Sequence, residues 1–157
     1  MIEKLIAIKF VTSLSRSLLG GALASVLLVG NAHSQTVESA MVAIAHPATA
    51  EEAIPRASLR AIFGMLLQKW PADTPVKVFV LRDDAPEHAT FSKSILQVFP
   101  HQLRMAWDRQ VFSGQGQYPE QVNSTQEMLS RVASTPGAIG YARASEVDKN
   151  VRVLKIR

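Results

Sequence analysis

Between residues 40 and 156 the apolar residues keep switching period, and that alternation restricts the fold more than any other feature of the chain. Ala40-Met41-Val42-Ala43-Ile44-Ala45 is a continuous apolar run, short enough for a buried strand over 40–45, and it ends at His46-Pro47. An Ala/Glu-rich connector leads to Pro55. Leu59, Ile62, Phe63, Leu66 and Trp70 then follow at helical offsets, which predicts a helix near 58–68, closed by Pro71 to Pro75. Val76 to Leu81 is nearly all apolar and reads as a central strand over 76–81. Asp84 and Glu87 stand in capping-box spacing around Pro86, ahead of a helix over 88–98 with Phe91, Ile95, Val98 and Phe99 on its inner face. Pro100 interrupts, and Leu103, Ala106, Trp107, Gln110 and Val111 outline a third helix over 102–111. Residues 113–119 form a flexible loop. Ser124 and Glu127 cap a fourth helix over 125–134, with Met128, Leu129, Val132 and Ala133 inward, and Pro136-Gly137 stops it. Strands over 138–142 and 151–156 complete the pattern. Strands interleaved with helices make an α/β layer structure, with Trp70 and Trp107 buried on the apolar stripes.

The first 34 residues read as an address. Lys4, Lys9 and Arg16 precede an uncharged stretch from Ser17 to Gly30, and Ala32 and Ser34 are small residues spaced for a signal peptidase. An apolar core of about 14 residues is short of the roughly 20 that a membrane span needs. The expectation is a signal peptide over 1–34, cleaved after Ser34, and a mature domain over 35–157 delivered to the periplasm. The full chain carries a formal charge of +4 from 17 Lys and Arg against 13 Asp and Glu. Three of those basic residues and one acidic residue lie within 1–34, so the mature domain carries only +2. Its basic residues are scattered and not interleaved with aromatics, which argues against a nucleic-acid partner.

The chain has no cysteine, which removes disulfides, thiolate metal sites and cysteine nucleophiles together. His33, His46, His88 and His101 share no metal-ligand spacing. There is no nucleophile elbow and no P-loop, and Gly114-Gln115-Gly116 follows a helix where a dinucleotide loop follows a strand. Asp83 and Asp84 are adjacent in a loop and do not converge on one bond. The residues therefore imply neither an enzyme nor a cofactor nor a metal.

Four segments, in order, carry a resemblance: Leu59-Arg60-Ala61-Ile62-Phe63-Gly64 with Trp70 beyond it; Val78-Phe79-Val80-Leu81-Arg82-Asp83-Asp84; Phe112-Ser113-Gly114; and Pro136-Gly137-Ala138-Ile139-Gly140-Tyr141. Together they resemble the phosphate-binding proteins of ABC importers, which have the type 2 periplasmic binding protein fold. The resemblance spans about residues 40–156. Members of that family have two lobes around a cleft, and about 123 mature residues suffice for one. It therefore implies a single lobe, a mixed sheet flanked by helices, and a binding protein for phosphate or another small oxyanion, working with an inner-membrane transporter or sensor.

In the family a strand ends in Arg, then Asp, then Ser-Gly-Thr opening a helix. Arg82 and Asp84 match, but Pro86, Glu87 and His88 stand where Ser-Gly-Thr would. Pro86 offers no N–H, and Glu87 puts a carboxylate where an oxyanion would sit. The resemblance, with this departure, makes Arg82, Asp84, His88 and Thr90 the ligand-binding candidates. A second reading is an exported interaction or sensory module that keeps the fold and has lost the anion site. In that reading Asp84 and Glu87 cap the helix and Arg82 pairs with them.

Overall fold

The structure, a computed structural model, describes residues 40–157. The leader expected over 1–34 lies outside the described residues. Six strands form one sheet: β1 (Met41–Ala45), β2 (Ala53–Ile54), β3 (Lys77–Leu81), β4 (Glu120–Val122), β5 (Ala138–Arg143) and β6 (Arg152–Ile156). Their order across the sheet is β2-β6-β1-β5-β3-β4. β1 runs antiparallel to both its neighbours, β5 and β6, while β3 is parallel to β4 and β5, and β2 to β6. The sheet is therefore mixed, with β1 alone reversed. Among the described residues four α-helices cover it: α1 (Arg56–Phe63), α2 (Pro86–Phe91), α3 (Pro100–Phe112) and α4 (Thr125–Ser134).

β5 explains how the layers divide, because successive strand residues point to opposite faces. Gly140 faces α4 so closely that a Cβ there would stand 2.5 Å from Met128 Sδ and 3.0 Å from Val132. Tyr141, the next residue, faces the other way and stacks on Phe91 of α2 at 4.2 Å. Phe63 of α1 packs edge-on against Phe91 at 4.9 Å. Trp107 of α3 donates its indole N–H to Phe63 O at 2.7 Å. The sheet thus lies between α4 on one face and α1, α2 and α3 on the other, and both tryptophans are buried as expected.

The first helix is shorter than the expected 58–68. It stops at Gly64, and Met65 takes a left-handed conformation at φ +60°. The amides of Met65 and Leu66 turn back to Ile62 O and Ala61 O, the paired bonds of a Schellman termination. This cuts the apolar stripe in two. Leu66 is exposed, and Trp70 reaches the core from a tight turn in which its own amide bonds Thr74 O at 2.8 Å. The second helix also departs from expectation. It begins at Pro86, with Ala85 as an N-cap lacking a side-chain bond, so the Asp84–Glu87 capping box does not form. Both carboxylates are taken by arginines instead. α2 runs on as a π-helical turn, Ser92–Leu96, that ends at left-handed Gln97. Pro100 opens α3 where it was expected to interrupt, in keeping with proline's fit to a first helical turn. At α4 the Ser124 hydroxyl accepts from the Glu127 amide as expected, but the Glu127 carboxylate accepts from Asn123. The two short strands β2 and β4 were not anticipated. Among the described residues no helix is long and apolar enough to cross a membrane.

Candidate functional site

Chemistry-bearing side chains gather at the carboxyl ends of β3 and β5. These strands are parallel neighbours, so Arg82, directly after β3, and Arg143, the last residue of β5, emerge at the same edge of the sheet. The loop from Arg82 into α2 starts at this edge. Its short polar side chains are drawn to the surrounding guanidinium groups, each of which is engaged by a carboxylate.

Arg82 forks onto its near neighbour, with Nε 3.0 Å from Asp84 Oδ1 and Nη2 2.9 Å from Oδ2. Both side chains are exposed. The pairing holds the Asp84 carboxyl below its ordinary value, chiefly through the Arg82 hydrogen bond. Asp83 points the other way, and its Oδ2 receives Arg104 Nε at 2.8 Å and Nη2 at 2.6 Å. The Arg104 guanidinium lies 5.0 Å from the Trp107 ring and 5.6 Å from Tyr118, within cation–π range of both. Glu87, in the first turn of α2, accepts Arg143 Nη2 at 2.8 Å, and that bond lowers its carboxyl pKa. Arg82 and Asp84 are thus brought together as the sequence proposed.

His88 and Thr90 sit differently. His88 is buried, with Nδ1 2.7 Å from Tyr141 Oη. That hydroxyl also accepts the Leu81 amide at 2.8 Å, so it bridges β3 to the histidine. His88 Nε2 is buried and has no partner among the described residues. Burial pushes the His88 pKa down; Asp83 opposes this and Arg104 adds to it. Burial likewise raises the Tyr141 phenol. His88 acts here as the support beneath the loop, tying α2 to β3 through Tyr141. The Thr90 hydroxyl is exposed but turned back onto Pro86 O at 2.8 Å.

Sequence reasoning missed Arg143, Arg104 and Tyr141. The only signal for Arg143 was its position closing the strand that starts after Pro136-Gly137, and only strand pairing converts that into proximity to Arg82. A hollow of about 300 Å3 beside the site is lined by Val80, Arg104, Trp107, Tyr118, Pro119 and Gln121. A larger hollow of about 470 Å3 lies at the amino ends of β3 and β4, between Met65, Gln68, Lys77 and the 114–119 loop, away from the three arginines. Among the described residues no group of three metal-ligating side chains comes together.

No protein-family model matches this chain, and no curated protein matches it. Solved structures do. An ABC-type phosphate transport receptor from Vibrio cholerae aligns with a TM-score of 0.56 at 16% identity, over 74% of this chain and 45% of the receptor. A Clostridium perfringens protein with bound phosphate, described as a phosphate ABC transporter substrate-binding protein, aligns at 0.58 and 17%, over 74% of this chain and 44% of its own. PstS from Borrelia burgdorferi aligns at 0.57 and 19%, over 75% and 47%. This chain spans less than half the length of each of these three structures, and over that part its fold is the one seen in these phosphate ABC transport proteins.

Proposed function

We propose that this chain is a one-lobe binding module for a small oxyanion such as phosphate. It holds the ligand at Arg82 without changing it chemically. The leader over 1–34 sends it to the periplasm, where a mature domain over 35–157 serves an inner-membrane transporter or sensor. The observation that carries this reading is the shared fold, in which one matched structure holds phosphate. The position of Arg82 at the carboxyl end of a parallel strand supports it, because ligands of open α/β sheets gather at that edge. Asp84 orients the guanidinium, while His88 and Thr90 serve through the loop's shape and not by direct contact.

A thermal-shift screen against phosphate, sulfate and other small anions tests the proposal. A ligand at 100 times its dissociation constant adds about 2.7 kcal/mol of stability. Arg82→Ala should remove the response. The second reading, an exported interaction or sensory module without an anion site, is favoured by the bidentate Arg82–Asp84 pair, which already occupies two donors of the guanidinium. It forecasts no response to any small anion.

A further inference from the structure

The Glu87–Arg143 pair differs from the Arg82–Asp84 pair of the same edge. The Arg82–Asp84 pair is bidentate, joins residues two apart in one loop, and is open to solvent. Glu87 and Arg143 come from different elements, and their side chains retain 23% and 39% exposure, against 71% and 60% for Asp84 and Arg82. Among the described residues Arg143 gives its side chain to a single bond, from Nη2, which leaves Nε and Nη1 uncommitted. Its backbone amide is held by Glu146 Oε2 at 3.2 Å, which fixes the strand end without using the guanidinium. A half-shielded arginine with spare donors, one strand away from Arg82, is built to take a second oxygen of a tetrahedral anion.

We infer that Arg143 is the second anion-holding guanidinium of this site, and that Glu87 is an internal carboxylate which a ligand must displace from it. The inference rests on the oxyanion reading and adds to it a residue and a mode of control. A doubly charged tetrahedral anion brings more charge and more acceptor oxygens than one carboxylate, so it competes for Arg143 when it also engages Arg82. Glu87 therefore sets the affinity: it neutralises Arg143 in the empty site and repels the ligand once displaced. This gives the Pro86-Glu87-His88 segment a purpose beyond the first turn of α2, where the Asp84–Glu87 capping box does not form.

Titration calorimetry with inorganic phosphate and with sulfate, at constant pH and ionic strength, tests the inference on the wild type, Glu87→Gln, Arg143→Ala and the double variant, with melting curves as a check on folding. Glu87→Gln should bind both anions at least about tenfold more tightly, and Arg143→Ala at least about tenfold more weakly. The gain from Glu87→Gln should vanish when Arg143 is also removed, an outcome that a purely structural ion pair does not produce. Arg82-dependent binding that ignores both Glu87 and Arg143 overturns the inference and leaves the oxyanion reading intact. Absence of binding in the wild type and in folded Glu87→Gln overturns both.

Discussion

The two ends of the sheet are built on opposite principles. At the amino ends of β3 and β5 the chain is locked by short buried contacts. The Trp70 indole donates to Gly137 O at 3.0 Å, and the Lys77 amide reaches the same oxygen at 3.1 Å. Gly137 sits at φ +77° against Pro75 O, where no Cβ fits. At the carboxyl ends the surface is held by arginine–carboxylate pairs in water. Buried packing costs several kcal/mol to lose, whereas solvated ion pairs contribute little net stability. The amino end fixes the fold. On the proposed reading the carboxyl end keeps its charges exchangeable, because a ligand can replace a solvated carboxylate but cannot replace a buried carbonyl.

Substitutions at the two ends should therefore separate stability from binding. The largest effect expected is from Trp70→Ala, which empties a core position and removes the bond to Gly137 O; denaturant unfolding should register a loss of about 3–5 kcal/mol. Gly137→Ala comes next. It forces a side chain into a left-handed conformation and against the Pro75 carbonyl, at a cost of at least about 2 kcal/mol by the same measurement. If both proteins unfold like the wild type, the amino end is not the anchor described here.

A smaller effect comes from the support beneath the site. His88 is held neutral in the fold, with its pKa below the ordinary 6.5, whereas in the unfolded chain it takes up a proton near that value. Stability from this histidine is complete above about pH 6.5 and is lost as pH falls toward the depressed folded pKa. Melting curves from pH 8 to pH 5 should decline for the wild type and flatten in His88→Gln over that window. The smallest stability effect belongs to Arg82→Ala, whose melting temperature should stay within about 2 °C of wild type while the response to phosphate disappears. A variant that melts much earlier would mean that the carboxyl end also carries the fold, and the contrast would fail.

The strands over 40–45, 76–81, 138–142 and 151–156 were legible because apolar runs bounded by Pro and Gly leave few alternatives. The short strands β2 and β4 were not, since two or three residues such as Ala53–Ile54 carry no period. The apolar spacing from Leu59 to Trp70 looked continuous, yet left-handed Met65 broke the helix, a backbone choice that no side-chain pattern records. In the site, Arg82 and Asp84 were legible because their pairing is local, only two residues apart. Glu87 was read as a cap because Asp-x-x-Glu spacing describes a local bond. Its actual partner lies 56 residues away.

The sequence by itself determined the alternation of strands and helices, the buried tryptophans and the arginine at the end of a strand. Each follows from the spacing of residues along one element. Only the tertiary structure decided that β1 runs against its neighbours, that His88 turns inward to Tyr141, and that Arg143 stands at the same edge as Arg82 with Glu87 upon it. Those facts depend on which strands pair and in what direction. Pairing is chosen by the free energy of the whole packed sheet, and no single segment carries that information.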